Sequence, residues 1–251
     1  GESTMAEEFK GLGYRTAIIG KWHQGFASWA YTPLWRGFDH YYGFYRGRVN
    51  YVDKTDGDGF VDLHDGEALV TNSTELATHS TLLFSQKVDS LLADHAATHD
   101  EPLFLYYPLF NTHRDATGWP APEEYLDKCS GNSDQQGYCA LTIMFDEAIE
   151  KLSCSLEAHG LASSTLLVVV SDNGGINMYP SNYPYQGSKN TLWKGGIMTT
   201  VLVSGPMLPA AALGTKYNGH VHVTDWFPTL LGLASGGAWT APLNGNEIDG
   251  L

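Results

Sequence analysis

Short apolar runs alternate along the chain with longer stretches in which apolar residues recur every three or four positions. The runs have the length of buried strands and cover residues 15–20, 102–107 and 165–170. Between the runs, apolar stripes at helical spacing predict helices over residues 74–97 and 138–158. Strands that are apolar on both faces and alternate with helices are typical of an α/β fold with a mainly parallel central sheet flanked by helices.

Local signals add shorter elements to this framework. The segment Thr4–Glu7 has the pattern of a capping box and predicts the start of a helix. The Asp-Gly pair at residues 65–66 separates two short extended segments and predicts a hairpin turn. A further apolar strand is expected at residues 199–203, and Thr224 is expected to cap a last short helix.

Polar side chains follow each of the three strand-like runs. Lys21 and His23 come directly after the first run, and His113 follows the second. Asp172 and Asn173 come after the third. Because the active crevice of an open α/β sheet lies beyond the carboxyl ends of its strands, we expect these side chains to form one polar site.

The residue types at two of these strand ends suit an anionic substrate and a hard cation. Asp172 and Asn173 offer the oxygen ligands that Ca²⁺ or Mg²⁺ takes, although Asp-Asn-Gly-Gly is also an ordinary turn sequence. The ammonium of Lys21 suits a tetrahedral oxyanion, and His23 suits positioning or activating a nucleophile. Two residues apart on an extended segment, they are expected to point to the same side. The alternative is a solvated lysine and a structural histidine around a buried Trp22.

Other polar residues are candidates by position alone. His113 lies in an irregular loop, and Lys189 follows a flexible loop that is able to close over a ligand. Both residues are also compatible with ordinary polar surface. His220 and His222 have no third zinc ligand nearby in the sequence, so we interpret them as structural.

Composition and charge limit the classes of partner. With 251 residues, of which 43% are hydrophobic and 17% charged, the chain is typical of globular proteins. A formal net charge of −14 argues against binding to nucleic acid or to an anionic membrane surface. No apolar stretch reaches the roughly 18 residues of a membrane span. An anionic substrate therefore has to be held by a local group of cations or by a metal ion.

The cysteines and one sequon point toward the secretory pathway. Cys129 and Cys139 flank a polar loop and are placed to form a disulfide in an oxidising compartment. Cys154 lies within a helical pattern and is expected to be a buried thiol. Asn72 begins an N-glycosylation sequon, which fits secretion.

Taken together, these motifs resemble the sulfatase family, closest to the arylsulfatase B type. The matching segments, in the family's order, are residues 13–25, 36–39, 102–106 with His113, 122–125, 171–175, Lys189 with 192–196, and 225–230. The resemblance implies an alkaline-phosphatase-like α/β fold in which residues 1–251 form the central part of a single catalytic domain. It also implies hydrolysis of aryl or carbohydrate sulfate esters.

The resemblance implies a role for each strand-end residue. Asp172 and Asn173 match two ligands of the family's calcium ion, for which Mg²⁺ is the alternative. Lys21 matches the lysine that binds the sulfate and the nucleophile. His23 matches the histidine that is hydrogen-bonded to that nucleophile.

The resemblance extends to the departing oxygen. His113 and Lys189 match the pair that contacts the sulfate and the oxygen that leaves, one of them assisting its protonation. Two departures from the family pattern lie near Lys189. Lys194 stands where an acidic residue is usual, and Met198 stands where an arginine is usual.

The family's nucleophile is a formylglycine made from a cysteine in a Cys-x-Pro-Ser-Arg-like segment. None of the three cysteines has that sequence context. We therefore expect the nucleophile and an upstream pair of aspartate ligands to precede Gly1, and the family's smaller C-terminal subdomain to follow Leu251. The isolated chain is expected to be inactive, whereas its parent protein is expected to be an enzyme.

Two other functions remain open from the sequence. A phosphodiesterase or phosphonate hydrolase of the same fold shares the metal and lysine chemistry, because sulfate and phosphate esters are tetrahedral oxyanions of similar shape. A pseudoenzyme or glycan-binding protein would keep the fold without the chemistry. The expected partner is a sulfated small molecule or sulfated glycan, selected by loops at residues 41–65 and 114–121. The family resemblance implies an extracellular or lysosomal location.

Overall fold

A computed structural model of the chain describes residues 2–176 and 182–250. Residues 1–110 together with 216–251 form the first of two units, and residues 111–215 form the second. The expectation of a single domain over the whole chain stays a prediction. Among the described residues, no helix combines the length and the apolar character that crossing a membrane requires.

The described residues form short strands and α-helices in both units. The strands are β1 Arg15–Lys21, β2 His40–Phe44, β3 His64–Asp65, β4 Ala68–Leu69, β5 Leu103–Tyr106, β6 Leu167–Val170 and β7 Val201–Ser204. The α-helices are α1 Met5–Gly11, α2 Ser73–Ala77, α3 Ser80–Thr98, α4 Glu123–Leu126, α5 Ser133–Ala158, α6 Lys194–Ile197 and α7 Trp226–Ala234. The capping box predicted at the start of α1 is present, since the Thr4 side chain and the Glu7 backbone are hydrogen-bonded.

Strand β1 lies inside the five-stranded sheet of the first unit, whose order is β4-β3-β2-β1-β5. It pairs in parallel with β2 and β5, and Ala17, Ile18 and Ile19 are fully buried. Because both faces of β1 are covered, its buried centre is apolar at three successive positions instead of alternating. Strands β3 and β4 extend the sheet in antiparallel fashion around Gly66, whose φ is 59°, so the hairpin prediction is confirmed.

A close contact between two strands positions Lys21 at the end of β1. Gly43 of β2 lies opposite Gly20, and a Cβ at residue 43 would lie 1.8 Å from the Gly20 carbonyl oxygen. Gly20 itself has a φ of 131°, a conformation that only glycine adopts readily. The two glycines therefore let β1 and β2 approach where the candidate site begins.

We expect Gly43→Ala to lower the free energy of unfolding by about 2 kcal/mol, because the added methyl group meets backbone atoms of the neighbouring strand. Thermal unfolding followed by circular dichroism measures the change. Gly57→Ala is the matched control, since a Cβ at residue 57 meets open space. Equal melting temperatures for the two variants would contradict the prediction, because they would show that β1 and β2 accommodate the added methyl group without loss of stability.

The helix predicted over residues 74–97 is interrupted, and a buried cation lies at the interruption. Helix α2 ends at Ala77, and α3 begins at Ser80. The Nζ of the fully buried Lys54 lies 2.5–3.2 Å from the backbone carbonyl oxygens of Tyr51, Val52, Leu76 and Thr78, so its three N–H groups are shared among four acceptors. We call Lys54 and these four carbonyl groups the lysine clamp. It joins the loop at residues 51–54 to the break between α2 and α3.

The second unit confirms one cysteine prediction and corrects the other. Cys129 and Cys139 form a disulfide. Cys154 is exposed, so the expectation of a buried thiol was wrong. The buried stripe of α5 passes through Leu141 and Leu152, and Cys154 lies two residues beyond Leu152, which places it on the opposite face of the helix.

The remaining strands pair only with each other among the described residues. Strands β6 and β7 confirm the apolar segments predicted near residues 165–170 and 199–203, and they form an antiparallel two-stranded sheet in the second unit. In the first unit, α7 begins at Trp226. Its N-cap residue is Asp225, so the expectation that Thr224 caps this helix was wrong.

Candidate functional site

Lys21 and His23 lie together at the end of β1 in the first unit. The Lys21 backbone amide donates to the carbonyl oxygen of Pro108 at 3.0 Å, and that of His23 donates to Tyr45 at 3.0 Å. The Lys21 side chain is half-buried and His23 is exposed. His23 has a φ of 51°, so the extended backbone ends there. The two-residue spacing therefore does not place the side chains of Lys21 and His23 on the same side.

A buried tryptophan and a glycine hold this corner in place. Trp22 is buried, and its Nε1 donates to the carbonyl oxygens of Gly25 and Tyr31 at 3.0 and 2.9 Å. A Cβ at residue 47 would lie 2.7 Å from the His23 ring, so the absence of a side chain at Gly47 gives that ring its place. Lys21 and His23 therefore flank a fixed indole, and the left-handed backbone at His23 is of the strained kind that is common at functional sites.

Asp172 and Asn173 follow β6 in the second unit and present oxygen atoms. The Asp172 side chain is exposed and accepts no hydrogen bond from any residue that the structure describes. The Nδ2 of Asn173 donates to the carbonyl oxygen of Gly174 at 2.9 Å, and the Ser171 hydroxyl donates to the backbone carbonyl of Asn173 at 3.1 Å. This arrangement leaves the Asp172 carboxylate and the Asn173 Oδ1 available for a ligand.

These two oxygen donors fit part of a hard-cation site. Ca²⁺ takes about six to eight oxygen ligands, and Asp172 and Asn173 supply side chains of the right type for two of them. Within residues 2–176 and 182–250, no group of three or more His, Cys, Asp and Glu side chains could hold a metal ion. The remaining ligands have to come from backbone oxygens, water or residues outside that range.

Asn182 joins the Asp172–Asn173 turn to the loop that carries Lys189. Its Oδ1 accepts from the Gly175 amide at 2.9 Å, and its Nδ2 donates to the carbonyl oxygens of Gly175 and Gly187 at 3.0 and 3.1 Å. The Lys189 amide also donates to the Gly175 carbonyl at 2.9 Å. Asn182 could not be identified from the sequence, because no motif marks a side chain that binds only backbone groups of its own loop.

Glycines let the segment after Asn173 approach the segment after Lys194 closely. A Cβ at residue 174 would lie 1.9 Å from the carbonyl oxygen of Gly195, so a side chain at Gly174 would collide with backbone. Lys194, one of the departures from the family pattern, extends its Nζ to 4.9 Å from the ring centroid of Tyr185. The backbone of Lys189 therefore lies beside the segment that follows Asp172 and Asn173, and the Lys194 ammonium lies over an aromatic ring.

His113 lies on a half-buried loop of the second unit. Its Nδ1 is 2.8 Å from the carbonyl oxygen of Arg114. Because a carbonyl oxygen can only accept, Nδ1 carries the proton in a neutral ring, and Nε2 is the basic nitrogen. Asp115 braces the same loop by accepting from the amides of Thr117 and Gly118 at 2.7 and 3.0 Å.

The candidate residues divide between the two units. The first unit holds Lys21 and His23, and the second holds His113, Asp172, Asn173 and Lys189. Lys189 is joined to the Asp172–Asn173 turn by hydrogen bonds. The meeting of all these residues at one site stays a prediction.

Comparison with known proteins assigns a family. A family model for sulfatases matches residues 1–237. Arylsulfatase J of Mus musculus is 34% identical over 241 residues, which cover 93% of this chain and 39% of that protein. N-acetylgalactosamine-6-sulfatase of Mus musculus is 26% identical over 263 residues, covering 100% of this chain and 48% of that protein. The chain thus spans less than half the length of these two curated relatives.

Solved structures agree with the fold. The crystal structure of Ps i-CgsB in complex with k-i-k-neocarrahexaose has a TM-score of 0.80 and 24% identity, over 94% of this chain and 54% of that chain. Structures similar to this chain also include a member of the alkaline phosphatase superfamily. The predicted alkaline-phosphatase-like α/β fold is therefore confirmed. By the match over residues 1–237 and the identity to arylsulfatase J, the chain belongs to the sulfatase family.

Proposed function

We propose that this chain supplies substrate-binding and metal-binding residues of a sulfuric ester hydrolase that acts on aryl or carbohydrate sulfates. The observation that carries the proposal is the sulfatase family match over residues 1–237, a range that includes every candidate residue. Sulfated glycans as substrates are supported by the names of two similar proteins, an N-acetylgalactosamine-6-sulfatase and a complex with a neocarrahexaose.

The cationic side chains bind the sulfate group. Lys21 contacts the sulfate oxygens and the nucleophile, and His23 positions that nucleophile. His113 and Lys189 contact the sulfate and the departing oxygen, which one of them protonates. The net charge of −14 makes such local cations necessary, because an anionic ester is otherwise repelled by the protein. Their attraction is largest in the transition state, where the transferred group is most polarised.

Asp172 and Asn173 hold a calcium ion in this proposal. The support is the exposed Asp172 carboxylate, which accepts no hydrogen bond from the described part of the chain, beside an amide oxygen on the next residue. When bound, calcium supplies positive charge next to the sulfate oxygens. Mg²⁺ is the alternative, with its stricter octahedral geometry.

A formylglycine outside these residues serves as the nucleophile. Cys129 and Cys139 are joined to each other, and Cys154 lies on an exposed helix face without the required sequence context. The chain covers only 39% of arylsulfatase J, so most of that relative's length has no counterpart here. We therefore expect the 251-residue chain to show no turnover by itself.

The test compares a matched pair of aryl sulfate and aryl phosphate esters with the full-length protein that contains these residues. Hydrolysis of the sulfate ester is expected to be preferred, to be lost in a chelator and to return with Ca²⁺. Preferred hydrolysis of the phosphate ester would instead identify a phosphodiesterase of the same fold. Failure to cleave either ester, with an intact formylglycine shown by mass spectrometry, would identify a binding protein. Turnover by the 251-residue chain alone would refute the external nucleophile.

The proposed location is the secretory pathway. The disulfide between Cys129 and Cys139 is typical of proteins in an oxidising compartment and supports this location. Asn72 is exposed, and its Oδ1 caps α2 by accepting from the amides of Thr74 and Glu75. Its Nδ2, the atom that carries an N-linked glycan, takes no part in those bonds.

A further inference from the structure

A pocket of about 510 Å³ lies in the first unit, and its lining contains none of the candidate residues. We call it the side pocket. Its walls are the aromatic side chains Phe26, Trp29, Tyr45 and Phe60, and its polar lining includes Arg46, Asp56, Asp62 and His64. Its volume falls within the roughly 300–1,000 Å³ that is typical of small-molecule sites.

The side pocket begins next to His23. The Tyr45 carbonyl accepts the His23 amide at 3.0 Å, and the His23 ring packs over the backbone of Gly47. Phe26, three residues after His23, stacks on Tyr45 with ring centroids 6.0 Å apart. The side pocket is therefore within reach of a ligand that is bound near His23, inside the first unit.

Three of the four aromatic walls are exposed to solvent. Phe26, Trp29 and Phe60 are 47%, 52% and 70% exposed. Exposed aromatic rings around a concave surface are costly to hydrate and mark sites where a ligand covers them. The rings offer flat apolar surfaces on which a saturated ring packs.

The polar lining is held by hydrogen bonds and ion pairs and is not suited to anions. Both Asp62 oxygens accept backbone amides, from Tyr45 at 3.0 Å and from Arg46 at 2.9 Å. The Arg46 guanidinium is paired with Asp56 at 3.0 Å and with Asp58 at 3.2 Å. Two carboxylates therefore pair with the one guanidinium, and the Asp62 carboxylate binds the backbone amide of the same residue. Because these three carboxylates outnumber the guanidinium, the field in the side pocket repels a second sulfate group.

Burial disfavours the charged form of Asp56, but other interactions outweigh it. Hydrogen bonds from the backbone amides of Phe60 and Asp58, together with the charge of Arg46, hold the pKa of Asp56 below its usual value. The carboxylate is therefore ionised at neutral pH. Since the Phe60 amide binds Asp56 at 3.0 Å, this carboxylate also fixes the position of an aromatic wall.

We propose that the side pocket is a subsite for a neutral sugar residue adjacent to the sulfated one. A pyranose has apolar faces that pack on aromatic rings and a polar edge that hydrogen-bonds to groups such as the Arg46 guanidinium and the Ser28 hydroxyl. The carboxylates around Arg46 select against a sulfate or carboxylate on that neighbouring residue. This subsite rests on the proposed sulfatase function and narrows its substrate class.

The test compares two substrates of the full-length protein, an aryl sulfate and an oligosaccharide with one sulfated residue beside a neutral one. Trp29→Ala and Phe60→Ala are each expected to lower the ratio of kcat/KM for the oligosaccharide to kcat/KM for the aryl sulfate about tenfold. Trp35→Ala is the matched control, because Trp35 is 62% exposed in the neighbouring turn and does not line the side pocket. An unchanged ratio in both wall variants, with the aryl sulfate still cleaved, would refute the subsite alone.

A charge variant tests the selection against a second anion. Asp58→Asn removes an exposed partner of Arg46 and is expected to raise activity on a doubly sulfated oligosaccharide, relative to the singly sulfated one, about threefold.

If neither an aryl sulfate nor an oligosaccharide is cleaved, the proposed function fails, and the subsite is then tested by calorimetric titration with a neutral galacto-oligosaccharide. Binding that Trp29→Ala weakens but Trp35→Ala does not would support the subsite. Equal binding by both variants would refute it.

Discussion

Lys21→Met is expected to lower kcat/KM of the full-length protein toward an aryl sulfate by about 10²–10³-fold. The side chain follows the fully buried part of β1, and its backbone amide is fixed to Pro108 at 3.0 Å. A methionine of similar length keeps the packing of the aliphatic stem but removes the positive charge next to the sulfate. The loss should appear in kcat and in kcat/KM together, because the interaction is strongest in the transition state.

Two variants sharpen this test. Lys21→Arg keeps the charge and should recover part of the activity, although its planar guanidinium does not reproduce the point charge of an ammonium. Lys10→Met is the control, since Lys10 is half-exposed on α1 and pairs with Asp39. Circular dichroism establishes that each variant is folded. If kcat/KM of Lys21→Met toward the aryl sulfate is within threefold of the wild-type value, Lys21 does not bind the sulfate as proposed.

Lys54→Met is expected to lower the free energy of unfolding by about 3 kcal/mol, because four backbone carbonyl groups lose a charged donor. For a chain of this size the melting temperature should fall by roughly 6–12 °C. Lys216→Met is the control, because Lys216 is an exposed lysine in the same unit. A melting temperature equal to that of the control would mean that the clamp contributes nothing.

The pH dependence of stability gives an independent readout of the clamp. Burial lowers the pKa of Lys54 from 10.5 to about 8. Between these values the unfolded chain binds a proton that the folded chain has released, so stability rises with pH. Measurement between pH 8 and 9.5 should show this rise in the wild type and not in Lys54→Met. Below pH 8 both states are protonated, so the contribution of Lys54 should be constant.

The first sheet could be predicted from sequence because local pattern and tertiary burial agree there. Strand β1 is covered on both faces, so its apolar run is visible without knowledge of its neighbours. The break between α2 and α3 could not be predicted in this way. The carbonyl groups of Leu76 and Thr78 bind Lys54, which lies more than 20 residues earlier in the chain. The helical spacing of apolar residues does not indicate such a contact.

The candidate site could also be predicted from the sequence only in part. Residues at strand ends, such as Lys21 and Asp172, could be located from sequence because chemistry follows the carboxyl ends of strands in this fold class. Asn182 and Gly47 could not be located in this way. Asn182 binds only backbone groups, and Gly47 makes room for the His23 ring because it has no side chain. The side pocket lies partly within residues 41–65, where substrate selection was expected, but its aromatic walls come from two segments that only the fold brings together.

Strand β7 has a practical consequence for producing these residues in isolation. Val201, Leu202 and Val203 are all exposed, on a strand that pairs only with β6 among the described residues. An uncovered apolar strand with a free edge is a template for intermolecular pairing, and a two-stranded sheet is marginally stable in water. The net charge of −14 opposes such association at low ionic strength. Recombinant preparations of the 251-residue chain should therefore precipitate as the salt concentration is raised. Salt screens the repulsion between the negatively charged chains, so that the exposed apolar strand β7 of one chain is able to pair with that of another.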